Sequence, residues 1–168
     1  MTANTRLYKR TAPNTVSLSP LWHVEERRAF FAGPLDYNAR HRHSVPVYIA
    51  GLYAPFRLRL SAGGWLSCRT AVIPAGVPYE LDVRGNPLAV LYLEPSLAGS
   101  HALMPLTRNT REECGAMIGC GGETSLMREL YEDVSSRQWI GSALDDLLGH
   151  SQKLARRVID PRIANVLE

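Results

Sequence analysis

The stretch from residue 28 to residue 93 limits the fold more than any other part of this chain, because it is a series of short β-type runs divided by turn residues. Phe56-Arg57-Leu58-Arg59-Leu60 alternates strictly, so Phe56, Leu58 and Leu60 share one face of a strand and the two arginines share the other. Ser61-Ala62-Gly63-Gly64 is a hairpin signal, and Trp65 to Ile73 reads as the returning strand. Ala29 to Ala32 is apolar, and Val45 to Leu52 is apolar at most positions, as a strand covered on both faces would be. Pro74-Ala75-Gly76-Val77-Pro78 predicts a rigid turn, since two prolines fix φ and remove two donors. Tyr79 to Val83 alternates again, Arg84-Gly85-Asn86-Pro87 turns, and Leu88 to Leu93 reads as a last buried strand. Short antiparallel strands at this spacing predict a sandwich or a small barrel.

The pattern changes near residue 105. Ten of the eleven prolines lie at or before that point and only Pro161 lies beyond it. Glu123 to Arg137 places Leu126, Leu130 and Val134 at i, i+4 and i+8 with Met127 and Tyr131 beside them, which predicts an amphipathic helix. Gly141-Ser142 reads as a break, followed by a second helix carrying Leu144, Leu147 and Leu148. Asp160-Pro161 has the form of a helix start, with Asp as N-cap and Pro at the first helical position. A capped helix with only Ile163, Val166 and Leu167 before Glu168 predicts that this chain is the front part of a longer protein. The expected organisation is a basic arm over 1–14, β-structure over 15–105, a helical segment over 106–159, and the start of a further domain over 160–168.

Composition narrows the class. A chain of 168 residues with 45% hydrophobic and 21% charged residues is globular, not disordered or rod-like. The net charge of +3 is too mild to demand a polyanion. Seventeen of the nineteen cations are arginine, the residue whose planar fork suits phosphate and purine edges. Cys68, Cys114 and Cys120 form no Cys-x-x-Cys pair, which fits reduced thiols and neither a disulfide scaffold nor a zinc ribbon. The first residues carry no apolar run behind their charges, and nowhere do eighteen apolar residues follow one another, so a soluble cytoplasmic protein is expected. No Gly-x-Ser-x-Gly, Walker loop, dinucleotide fingerprint or His-Glu-x-x-His occurs, and no enzymatic activity is expected. Gly119-Cys120-Gly121-Gly122 lacks the lysine and hydroxyl of a phosphate loop and reads as a bend before the helix.

His41-Arg42-His43 puts two histidines at i, i+2, the spacing of two ligands of one metal on a strand. It is similar to the first cupin motif, but the carboxylate position holds Val47 or Tyr48. The second motif, Pro-x-Gly-x-x-His, appears as Pro74-Ala75-Gly76-Val77-Pro78-Tyr79, with Tyr79 in the place of a histidine. Two of four ligands are absent, so no metal and no other cofactor is expected. His41 and His43 read instead as hydrogen-bonded side chains at a barrel mouth.

The order His-x-His, alternating strand, Gly-Gly hairpin, Val-Ile-Pro-Ala-Gly-Val-Pro-Tyr-Glu-Leu and Leu-Ala-Val-Leu-Tyr-Leu-Glu-Pro resembles the N-terminal sensing domain of AraC-family transcription regulators. The resemblance runs over roughly residues 20 to 168, and Ile159 to Glu168 is similar to the start of that family's DNA-binding domain. It implies a mainly β fold, a cupin-like antiparallel β-barrel followed by an α-helical dimerisation segment. It also implies a homodimer, with promoter DNA bound by a C-terminal domain beyond this chain and no membrane partner.

Arg6-Leu7-Tyr8-Lys9-Arg10 resembles the Arg-x-x-x-Arg motif that precedes the barrel in PilZ-type receptors of cyclic di-GMP. The further Asp/Asn-x-Ser-x-x-Gly motif of those receptors has no match, and Asn14-Thr15-Val16-Ser17 has the wrong spacing. The resemblance implies that Arg6 and Arg10 grip phosphates or guanine edges, with Lys9 adding a point charge. Arg57 and Arg59, by strand alternation, and Arg40 and Arg42 beside the histidines are candidates for the opposing wall. The rival site is the barrel interior along the Phe56 and Tyr79 faces, where a small sugar or aromatic metabolite would fit; a metal-dependent cupin enzyme is the third reading.

Overall fold

Eleven strands pair into two antiparallel sheets in the computed structural model, which describes residues 19–60, 63–95 and 99–149. The larger sheet runs, edge to edge, β1 (Leu21–Val24), β2 (Arg28–Pro34), β9 (Pro87–Leu93), β4 (Val47–Gly51), β7 (Thr70–Ile73), β11 (Ala116–Gly122) and β10 (Thr107–Glu113). The smaller runs β3 (Tyr37–His41), β8 (Tyr79–Asp82), β5 (Phe56–Leu60) and β6 (Trp65–Cys68). The chain is mainly β with C-terminal helices, as expected. The two sheets lie face to face and are not closed into one continuous barrel.

Alternation decides what each face buries. Phe56, Leu58 and Leu60 point inward from β5 and meet Phe31, Ile49, Ile73, Val90 and Ile118 of the large sheet. The opposite face of the large sheet, including Phe30, Tyr48, Ala50 and Leu91, packs on the helical segment. β4 sits between both layers and is buried at every position, as its apolar run predicts. Each fully buried Leu, Ile or Phe contributes roughly 1.5–3 kcal/mol against exposure.

Three expectations about the strands change. Trp65 to Ile73 is not one strand: β6 belongs to the small sheet and β7 to the large one, with the crossing at Arg69. There the Arg69 backbone N–H donates to the Gly119 carbonyl at 2.9 Å, which turns the chain onto the large sheet. Leu88 to Leu93 is not the last strand, because β10 and β11 follow as a hairpin at the far edge of the large sheet. The segment from 106 is therefore not wholly helical. Cys114 and Gly115 both have positive φ, 50° and 86°, the backbone of a two-residue hairpin turn whose twist matches the strands.

The helices differ too. The one expected over Glu123 to Arg137 runs only over Ser125–Glu132, and a 3-10 helix follows over Val134–Trp139. The chain breaks at Asp133, whose carboxylate accepts the Ser135 backbone N–H at 3.0 Å. Gly141 and Ser142, expected to be a break, lie inside a helix over 140–149. Finally, Leu130 is 2% exposed and packs in its own chain's core, whereas Val134 on the same predicted stripe is 62% exposed. The arm over 1–14 and the helix start at Asp160-Pro161 lie outside the described residues. None of the helices described is long and apolar enough to cross a membrane.

Candidate ligand site

The histidine strand and the proline turn come together as their sequences predict. His41 ends β3 directly opposite Tyr79 of β8, after an irregularity between Asn38 and His41. Gly76, at φ 82° in the Pro74–Pro78 turn, donates its N–H to the His43 carbonyl at 2.8 Å and so holds the histidine loop against the turn. The His41 and His43 ring centroids are 4.7 Å apart, and the Tyr79 ring lies 4.4 Å from His41 and 5.8 Å from His43. Tyr92 of β9 closes the cluster at 5.1 Å from His43. Sequence reading missed Tyr92, although its place in the Leu88–Leu93 strand was a signal for the same inward face as Val90.

This cluster does not suit a cupin-type metal. His41 Nδ1 is bonded to the Ala39 carbonyl at 2.8 Å, and the His43 Nε2 atom is shut from solvent with no partner among the described residues. Burial pushes the Tyr79 phenol above its ordinary range, so it stays protonated and is a poor ligand. Val47 and Tyr48 point to opposite faces of β4, Val47 between the sheets and Tyr48 towards the helices. No three His, Cys, Asp or Glu side chains gather in a metal-holding group among the described residues.

Burial, with His41 adding repulsion, holds His43 below its ordinary value of 6.5. The unfolded chain therefore takes up a proton that the folded chain refuses. Stability is full above about 6.5 and declines as the pH falls towards the lowered folded value. Glu80 and Asp82 add a later loss, because their partners lower their values from 4.5 and 3.8. We expect urea midpoints taken from pH 7 to pH 3 to fall in two stages, with the first stage absent in His43→Gln. A single stage in the unmutated chain refutes this.

The rival interior site is filled. Phe56, Leu58, Leu60, Tyr79 and Leu81 are each at most 2% exposed and belong to one packed cluster with the facing sheet. The outer face of the small sheet carries Arg57 and Arg59 as alternation predicts, but each is already ion-paired. Arg57 bonds Asp82 and Arg59 bonds Glu80, and both guanidinium groups lie over the Trp65 ring, at 5.2 and 4.8 Å. Glu80, whose side chain is only 3% exposed, also accepts the Tyr37 hydroxyl at 2.5 Å, and that bond, with Arg59, lowers its carboxyl below the usual range. The acids at 80 and 82 were visible in the alternation of Tyr79 to Val83; their register against Arg57 and Arg59 was not. Arg40 and Arg42 are exposed near the histidines. Arg6, Lys9 and Arg10 lie outside the described residues.

A cleft of about 490 Å³ opens between the β1–β2 turn, the end of β9 and the helix over 140–149. Its charged lining is Glu25, Glu26, Arg27, Arg28, Glu94 and Asp145, an acidic surplus. Arg28 is committed there, pairing with Glu25 and with Asp145 at 2.7 Å, and donating to the Gly141 carbonyl at 2.9 Å. The cleft ties the hairpin to the last helix and does not suit an anionic ligand.

No family model matches the chain, and no curated protein matches it. Among solved structures it is similar to a cupin-2 domain containing protein from Shewanella frigidimarina, with 11% identity over 55% of this chain and 89% of that one and a TM-score of 0.39. It is similar also to an RmlC-like cupin protein from Desulfovibrio desulfuricans, with 11% identity over 51% and 91% and a TM-score of 0.39. A cupin domain from Bordetella pertussis matches with 14% identity over 46% and 93% and a TM-score of 0.37.

Proposed function

We propose that this chain is the ligand-sensing and dimerisation domain of an AraC-type transcription regulator, that it turns nothing over, and that its effector is cyclic di-GMP gripped by Arg6 and Arg10. The observation that supports the reading is the packed space between the sheets: Phe56, Leu58 and Tyr79 are buried against the facing sheet, which favours an effector bound outside them. The first described strand, β1, is an edge strand of the larger sheet. Two guanidinium forks four residues apart stand roughly 13 Å from each other if extended and face one side, which suits a compact dinucleotide with two phosphates.

Titration calorimetry of the chain with cyclic di-GMP tests this. Binding of the unmutated chain should weaken as salt rises, because the phosphates are fully charged. Arg6→Ala and Arg10→Ala should each weaken it at least tenfold, since each removes a charge-assisted bidentate pair. No heat with the unmutated chain, or undiminished affinity in both variants, ends the reading.

A further inference from the structure

The two edges of the larger sheet differ in how they are protected. β10 carries Arg108, Arg111, Glu112 and Glu113, and its Asn109 takes a left-handed backbone at φ 53°. Charge and local distortion of this kind keep an edge strand from pairing with another chain. β1, at the opposite edge, reads Leu-Trp-His-Val and has no lysine, arginine or carboxylate.

The backbone of β1 turns alternate residues to its two sides. The Glu25 N–H donates to the Arg28 carbonyl at 2.8 Å, closing the turn into β2. Counting back from Glu25, His23 and Leu21 direct their N–H and C=O groups at β2. Those of Trp22 and Val24 point away from the sheet and meet no partner among the described residues.

The side chains of the same two residues are open. Trp22 lies against the Phe31 ring, centroids 4.7 Å apart, on the face that packs on the smaller sheet, yet Trp22 is 62% and Val24 74% exposed. On the other face the helical segment runs along the strand. Arg137 donates to the Ser19 carbonyl at 3.2 Å, and Arg28, bonded to Glu25, donates to the Gly141 carbonyl at 2.9 Å. Trp139, between those two attachments in sequence, is 64% exposed. Together Trp22, Val24 and Trp139 open on the order of 400 Å² per copy, about half of the roughly 800 Å² that a standard interface takes from each partner. That is the scale of a reversible contact, to which paired backbone adds.

A second copy of β1 satisfies this edge. In an antiparallel pair, directly opposed residues share a face. With His23 on a two-fold axis, Trp22 stands opposite the partner's Val24, and Val24 opposite the partner's Trp22. Both are positions with outward N–H and C=O groups, so this register makes four bonds and leaves none of those groups unused. A shift by two residues sets Val24 against Pro20, which has no N–H, or Trp22 against Glu26 of the turn. The self-matching register is the mark of an isologous contact.

We infer that β1 pairs with the β1 of a second copy, antiparallel about a two-fold axis at His23, joining the seven strands of each larger sheet into one continuous sheet. This rests on the dimerisation part of the proposed function and not on its effector.

Sedimentation velocity of the whole chain over a concentration series, with deuterium exchange at the Trp22 and Val24 amides, tests it. The unmutated chain should form a concentration-dependent dimer, and both amides should exchange more slowly as the dimer fills. Val24→Pro removes one donor from each copy and should raise the dimer dissociation constant at least about tenfold. Val24→Thr keeps the N–H and the branched shape and should dimerise like the unmutated chain. Circular dichroism establishes that Val24→Pro is folded; if it is not, Val24→Lys at the same exposed position takes its place, because a lysine on an edge opposes pairing. A dimer undiminished in the proline or lysine variant overturns the pairing and leaves dimerisation to another surface. A monomer at every concentration overturns the pairing and the dimerisation together. Slow exchange at both amides that does not change with concentration overturns the second copy as the occupant of the edge.

Discussion

Leu130→Arg unfolds the chain instead of separating a dimer. Leu130 stands in the sequence at the centre of an apolar stripe, wide enough to cover the β-structure and a partner, because Leu126, Leu130 and Val134 repeat at four-residue spacing. In the fold it is 2% exposed, among Phe30, Tyr48, Met127, Tyr131 and Leu144 on the helix-covered face of the large sheet. An arginine there removes a packed side chain and introduces a cation with no counter-ion. The lost packing costs about 2–5 kcal/mol and the uncompensated buried charge about 3–5 kcal/mol, together comparable with a domain's total stability of about 5–15 kcal/mol. Urea unfolding of Leu130→Arg should show no folded baseline near neutral pH, and a well-folded monomer refutes the placement. The dimer proposed for this chain needs another surface, and Trp139 and Val134 of the 3-10 helix, 64% and 62% exposed, are the apolar groups that the helical segment presents. Trp139→Glu should leave the unfolding free energy from urea titration within about 0.5 kcal/mol of the unmutated chain.

What the sequence disclosed depended on how strictly a segment obeyed one period. β5 and β8 alternate, β4 is apolar throughout, and the proline turn allows little choice; all of these stand where they were placed. The Tyr79 position in the motif was legible as well, and the side chain does lie against both histidines. β10 was not legible. Thr-Arg-Asn-Thr-Arg-Glu-Glu is exposed at most of its positions on an edge strand, so no apolar face shows. The crossing at Arg69 was hidden for another reason: Trp65 to Ile73 is uniformly strand-like, and only the long-range bonds to Gly119 and Gly51 reveal that it changes sheets. The pairing of Arg57 with Asp82 and Arg59 with Glu80 depends on strand register, which no local pattern encodes. Arg69 and Arg128, 59 positions apart in the sequence, both donate to the Leu52 carbonyl, a meeting that no local pattern encodes.

Gly122→Ala destabilises the fold by about 3 kcal/mol or more, and the reason reverses the reading of the glycine-rich run as a simple bend. Gly119, Cys120, Gly121 and Gly122 are the second half of β11, squeezed between β7 and β10. Gly122 has φ of 154°, a backbone conformation that side chains rarely adopt. A β-carbon there would strike the Leu106 carbonyl oxygen, and would stand 2.9 Å from Thr70 Cγ2 and 3.1 Å from Thr107 Cα. The Leu106 oxygen has little freedom to retreat. It accepts the Glu123 N–H at 2.8 Å, while the buried Tyr48 hydroxyl, 3.3 Å from it, donates to the Glu123 carbonyl at 2.7 Å, and these bonds fix the start of the helical layer on the large sheet. Moving it leaves the Glu123 N–H without its acceptor, at roughly 1–3 kcal/mol, in addition to the backbone strain. Gly121, one residue earlier, has nothing within contact distance of an added β-carbon and no positive φ. Gly121→Ala is therefore the matched control, and its unfolding free energy from urea titration should stay within about 1 kcal/mol of the unmutated chain. Equal midpoints for the two variants would mean that the run is a loop after all, with no close approach for glycine to permit.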